Sequence, residues 1–171
     1  IAKVQNFIFD FTLDFADDEN GAVELRFRHG TTSVCNLGYR LYFTRDTLTV
    51  GKYHDNDFQN DQIAKVVTDF TKGAKVRIAA NDGMLWISID GVRVFKITDA
   101  YTADGYIQIS HTVNVPSGRI NLTNMLLREY SDEKANDGVT DKTESDSGII
   151  TTGNEILTAM VNTAWTRKNK D

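Results

Sequence analysis

The chain has 171 residues, 40% of them hydrophobic and 25% charged, which suits one buried core of about 100 to 150 residues with an appendage rather than two full domains. No apolar run approaches the roughly 18 residues of a membrane-spanning helix, which excludes a helical membrane span. The net charge of −5, with acids and bases interspersed, lacks the clustered basic face of a nucleic-acid partner.

Cys35 is the only cysteine, so an internal disulfide and a CxxC metal knuckle are excluded. The chain opens at Ile1 without a basic-plus-apolar signal segment. The expectation is a mature or excised piece of a longer, multi-modular polypeptide.

In chain order, Phe7, Phe9, Phe11, Leu13 and Phe15 fall on one face and Asp10, Thr12 and Asp14 on the other. That alternation is the period of a half-buried strand. After an acidic turn, Val23, Leu25 and Phe27 alternate with Glu24, Arg26 and Arg28, a hairpin partner for the first strand. The pattern recurs in "GYRLYFTR", "TLTVGKY", "AKVRIAAN", "MLWISID", "VRVFKITD", "GYIQISH" and "GRINLTNMLLREY", about nine strands set apart by Gly, Asp or Asn. Residues 51–62, "GKYHDNDFQNDQ", read as a long polar loop. Asp90-Gly91 predicts a two-residue type I′ hairpin turn, because glycine accepts the positive φ it requires. No helical pattern separates the strands, so the fold class is all-β, an antiparallel sandwich or barrel.

From Ser131 the chain turns polar, acidic and rich in Ser, Thr, Asp and Gly. The predicted organisation is a β-sandwich over residues 1–130, a solvated polar linker over 131–153 and a short amphipathic helix over 154–168. Thr152 and Glu155 form a capping box, and Ile156, Leu157, Met160, Val161 and Ala164 follow at helical spacing. This helix either docks back on the sandwich or leads into a following module.

The run "GAKVRIAANDGMLWISIDGVRVFKITDAYTADGYIQIS" with "SGRINLTNMLL", and before it "FIFDFTLDFADDENGAVELRFR" and "LGYRLYF", resembles the concanavalin A-like jelly-roll modules. It is similar to the laminin G-like and levan-binding-module-like domains and to the domain of unknown function 1080, or 3-keto-disaccharide hydrolase, family. The resemblance covers residues 6–130 and implies a two-sheet antiparallel jelly-roll sandwich. Its motifs mark turns and core faces, so no family site residue is carried over by motif identity.

Candidate sites follow from the polar faces. Trp86 alternates with the core residues Leu85, Ile87 and Ile89 and is expected on the opposite face. There it either stacks on the C–H face of a sugar ring or is covered by the linker or the terminal helix. Glu24, Arg26 and Arg28 of one strand and Arg40 and Tyr42 of another form either a cross-strand salt-bridge ladder or a ligand platform. Gln108 joins them by alternating with Ile107 and Ile109, and Tyr53 and His54 are supplied by the polar loop. Two oxygen-rich stretches, Asp14, Asp17 and Asp18 in one and Asp55 and Asp57 in the other, are either calcium ligands or ordinary turn residues. His29, His54 and His111 lack zinc-ligand spacing. No paired-carboxylate motif of the laminarinase type is present, and Asp10 and Asp14 share a face without an evident acid–base partner.

The reading favoured by these residues is a non-catalytic carbohydrate-binding module of a secreted or cell-surface, bacterial protein, with a polysaccharide or glycan as partner. The resemblance leaves two alternatives: a hydrolase of oxidised disaccharides, and a structural or protein-binding spacer.

Overall fold

The alternating apolar runs form strands wherever they are long enough to bury one face. The computed structural model describes residues 3–15, 20–29, 37–54, 57–98, 100, 105–112 and 119–141. In chain order these hold β1 (Phe7–Asp14), β2 (Ala22–His29), β3 (Leu37–Phe43), β4 (Thr47–His54), β5 (Asp57–Val67), β6 (Ala74–Asn81), β7 (Met84–Ile89), β8 (Val92–Ile97), β9 (Tyr106–Thr112), β10 (Asn121–Glu129), α1 (Asp132–Asn136) and β11 (Thr140–Asp141). One sheet runs β10-β1-β6-β7-β8-β11 and the other β5-β4-β3-β2-β9. All pairings are antiparallel except the short β11–β8 pair.

The core fills the space between the sheets. Phe7, Phe9, Phe11, Leu13 and Phe15 are buried from one side and Leu25, Phe27, Tyr39, Leu41 and Phe43 from the other. Phe7 meets Phe27 edge-on at 5.6 Å between ring centres, and Phe11 meets Phe43 at 5.9 Å, separations at which aromatic pairs attract beyond their burial. The β7–β8 hairpin turns at Asp90 (φ 49°) and Gly91 (φ 79°), in agreement with the expected turn.

Arg28 is fully buried, and its guanidinium is satisfied by main-chain carbonyls. It donates to the Gln5 oxygen at 3.2 and 3.0 Å and to the Asp82 oxygen at 2.7 Å, tying the chain before β1 to the β6–β7 turn. Burial lowers its pKa, partly opposed by Tyr39 and Asp82.

The structure corrects two expectations. Residues 51–62 are not a long polar loop: β4 runs to His54 and β5 begins at Asp57, with Leu37 opposite His54 and Lys52 opposite Asp61. Over residues 57–62 of the edge strand β5, main-chain pairing with β4 organises the chain without apolar alternation, which begins only at Ala64 and Val66.

Residues 131–141 are not a solvated linker. The Ser131 hydroxyl accepts from the Lys134 N–H at 3.4 Å and caps α1, with Asp132 and Glu133 in the first turn, where acids are favourable. Ala135 and Val139 then settle on the outer face of the six-stranded sheet, against Ile8, Ala79 and Trp86. The part of the predicted linker beyond Asp141, and the predicted helix over 154–168, lie outside the described residues.

Candidate functional site

The register of the five-stranded sheet gathers five of the expected side-chain positions on its outer face. Across β2 and β3, Arg26 stands opposite Arg40 and Glu24 opposite Tyr42. On the other side of β2, β9 places Gln108 opposite Arg26 and Ser110 opposite Glu24. Beyond β3, Gly51 faces Arg40 and Thr49 faces Tyr42. Two polar rows thus cross the sheet, Ser110–Glu24–Tyr42–Thr49 and Gln108–Arg26–Arg40–Gly51.

Two guanidiniums directly opposite each other repel, and Glu24 resolves the conflict. Only 8% exposed, it is held by Arg26 Nε on one oxygen and by Arg40 Nε at 2.6 Å on the other. The Arg40 guanidinium also lies over the Tyr42 ring, 4.8 Å from its centre, a cation–π contact. Arg26 and Arg40 keep about a quarter of their side chains open, 22% and 26%, so both still meet solvent. Gly51 beside Arg40 adds no side chain to the sheet there. The result is a shallow cluster with one net positive charge, a fixed guanidinium plane, a tyrosine and the flanking Gln108 and Ser110. Such groups form directed hydrogen bonds to hydroxyls.

The remaining candidates separate from this cluster. Trp86 belongs to the other sheet and is fully buried, which rules out a stacking contact with a sugar. Ala135 of α1, Tyr130 and Val139 pack on it, and the Arg93 guanidinium lies 4.7 Å from its ring centre. Its cover is Tyr130, the last residue of the predicted sandwich, together with Ala135 and Val139 from the nearer part of the predicted linker. Tyr53 and His54 are in β4, opposite Gly38 and Leu37; their side chains lie outside the described part.

Of the calcium candidates, Asp14 ends β1 opposite Asn121 with one buried carboxylate oxygen that has no hydrogen-bond partner among the described residues. Asp57 opens β5 opposite His54. Asp17, Asp18 and Asp55 fall outside the described residues, among which no three potential metal-ligating side chains converge.

The sequence reading missed Ser110 and Thr49. The signal for both was present, since Ser110 follows Gln108 at the same period and Thr49 alternates with Leu48 and Val50. Also missed was the ion network on the six-stranded sheet, where Asp10 is shared by Arg77 and Arg128.

No family model and no curated protein sequence matches the chain. Among solved structures, the carbohydrate-binding module CBM66 from Bacillus subtilis aligns with a TM-score of 0.59 and 18% identity, covering 75% of this chain and 78% of that one. The fold is a concanavalin A-like jelly roll. Sheep galectin-11, in complex with glycerol, shares this jelly roll with a TM-score of 0.50 and 8% identity, covering 74% of this chain and 95% of that one. At such identities the likeness describes the jelly roll's architecture and carries no residue role.

Proposed function

We propose that this jelly roll is a non-catalytic carbohydrate-binding module and that its glycan lies across the outer face of β2, β3 and β9. The observation that carries the reading is the Arg26–Glu24–Arg40–Tyr42 cluster: a carboxylate held by two arginines fixes both guanidiniums before any ligand arrives. Pre-set donors spare a ligand the cost of ordering flexible side chains. Arg26, Arg40, Gln108 and Ser110 bond hydroxyls, and the Tyr42 ring packs on the C–H surface of a sugar. The names of the two structural neighbours, a carbohydrate-binding module and a galectin, support the same ligand class. A secreted or cell-surface setting within a larger protein fits this role.

The platform holds a single carboxylate among the described residues, already neutralised by two cations, whereas glycoside hydrolysis uses two carboxyls on either side of the bond. Binding is therefore favoured over cleavage. The test is retention on immobilised polysaccharides and titration calorimetry with the glycans retained. Arg40→Ala should weaken binding about tenfold or more, the scale of one lost charge-assisted hydrogen bond, and Tyr42→Ala should weaken it by about the worth of one aromatic packing contact, roughly two- to tenfold, with the melting curve still cooperative. Retention unchanged in the double variant would remove the platform from consideration, and release of free sugar would establish the enzyme reading instead.

A further inference from the structure

On the opposite face of the molecule, the outer side of the six-stranded sheet carries a recess of about 420 Å³ beside α1. That volume falls within the roughly 300 to 1,000 Å³ typical of small-molecule sites. Thr12 of β1, Lys75 of β6 and Ser88 of β7 line it from three successive strands, about 5 Å from strand to strand.

Both walls are fixed. On one side stands Asn124, in left-handed backbone (φ 53°) where the β1–β10 register shifts between Asp10 and Thr12. Such a bulge re-aims a side chain, and here the Asn124 carboxamide donates to the Thr12 hydroxyl at 3.3 Å. On the other side, Gly138 comes so close to Gly91 that a Cβ on Gly91 would lie 2.7 Å from the Gly138 carbonyl oxygen. Arg77 holds that wall by donating to the carbonyls of Lys134, Ala135 and Asp137 at 3.1, 3.1 and 2.7 Å, and is itself held by Asp10 at 2.6 Å.

The chemistry left facing the recess indicates its ligand. Asp10 is shared by Arg77 and Arg128, and Asp137 lines the recess as well as Lys75, so a fixed anion would meet a carboxylate along with the one ammonium. Thr12 and Asn124 both donate and accept, as the hydroxyls of a polyol do. We propose that the recess is a second saccharide site, seating one neutral sugar ring, with Thr12, Asn124 and Lys75 bonding its hydroxyls and the buried Ser88 forming part of its floor. This site shares no residue with the β2–β3–β9 platform and does not depend on it. Where both bind, the module bridges two glycan strands, and a bound strand on one face raises the effective concentration of glycan at the other.

The test is amide chemical-shift mapping on the full, isotope-labelled chain, titrated separately with methyl glycosides of glucose, galactose, mannose and fructose, with glucuronate in parallel. At least one neutral sugar should shift the Thr12, Ser88, Asn124 and Gly138 amides in a saturable way. Asn124→Gly preserves the left-handed backbone and removes the carboxamide. It and Lys75→Met should each weaken that binding about three- to tenfold, the scale of one hydrogen bond, and leave any shifts at Tyr42 and Ser110 unaltered. Shifts confined to Tyr42 and Ser110, no shift at the recess with any sugar, or recess shifts with glucuronate alone would overturn the proposal. Absence of shifts at Tyr42 and Ser110 alone would count against the platform and not against the recess.

Discussion

Trp86 and Glu24 are both non-core residues of their own strands, and both are buried for reasons their neighbours in sequence do not reveal. Glu24 is buried by Arg26 and Arg40, one of them on another strand. Trp86 is buried by Ala135, Tyr130 and Val139 and by the guanidinium of Arg93. Alternation states which face a residue occupies and is silent on what lies over that face. A large ring under such a cover contributes to stability as a core residue does. Trp86→Ala should therefore destabilise the protein by about 3 to 5 kcal/mol, read as a shift in urea midpoint by far-UV circular dichroism. Glycan retention below the new midpoint should match wild type. A shift of a few tenths of a kcal/mol would mean that the cover is not packed in solution.

At the scale of elements, α1 and β11 act as a strap over the six-stranded sheet. Arg77 bonds the C-terminal carbonyls of α1, Arg93 pairs with Asp141 and donates to Asn136 at 2.7 Å, and the Thr140 N–H donates to the Gly91 carbonyl at 2.8 Å. Tyr130 enters this strap with its hydroxyl on Asp132 at 2.8 Å. Its pKa is pushed up to about 12, first by burial and then by the hydrogen bond and negative charge of Asp132. Folding thus favours the neutral phenol. The stability this adds is complete below the unfolded value of about 10 and is lost as pH rises through about 12. In a Trp165→Phe background, Trp86 fluorescence should stay constant to about pH 10 and change with tyrosinate absorbance between there and about 12. Tyr130→Phe should abolish that coincidence; an unaltered curve would detach the strap from Tyr130. The sequence carried signals for this strap in the Ser131 cap and in the isolated apolar residues Ala135 and Val139. Surrounded by acids and small polar residues, they read as linker because their partners, Ile8, Ala79 and Trp86, are far away along the chain.

For the whole molecule, stability rests on the meeting of two sheets whose strands interleave along the chain. Phe11 stands at that meeting, 5.2 Å from Phe9 and 5.9 Å from Phe43 between ring centres. Phe11→Ala should cost about 3 to 5 kcal/mol. Because the strap packs on the same sheet whose inner face holds Phe11, circular dichroism and Trp86 fluorescence should report one shared urea midpoint, lowered together in the variant. Separate midpoints would mark the strap as an independently unfolding unit.

By its alternation and turn residues alone, the sequence determined that the chain is all-β, where most strands run, which side of each faces the core and where the Asp90-Gly91 hairpin turns. These are local matters, decided by a side-chain period of two and by backbone preferences within a few residues. It also placed Glu24, Arg26, Arg40, Tyr42 and Gln108 on a polar face, but set Arg28 with them, whereas Arg28 takes left-handed backbone and is buried on the Gln5 and Asp82 carbonyls. Tertiary structure decided which polar faces are open. The pairing of β1 with β10 and of β2 with β9 joins residues as far apart in the chain as Phe7 and Glu129. Only that pairing sets Gln108 beside Arg26, leaves the recess at Thr12, and brings Ala135 over Trp86. Coverage of a face depends on contacts distant in the chain, and no periodicity within a strand encodes them.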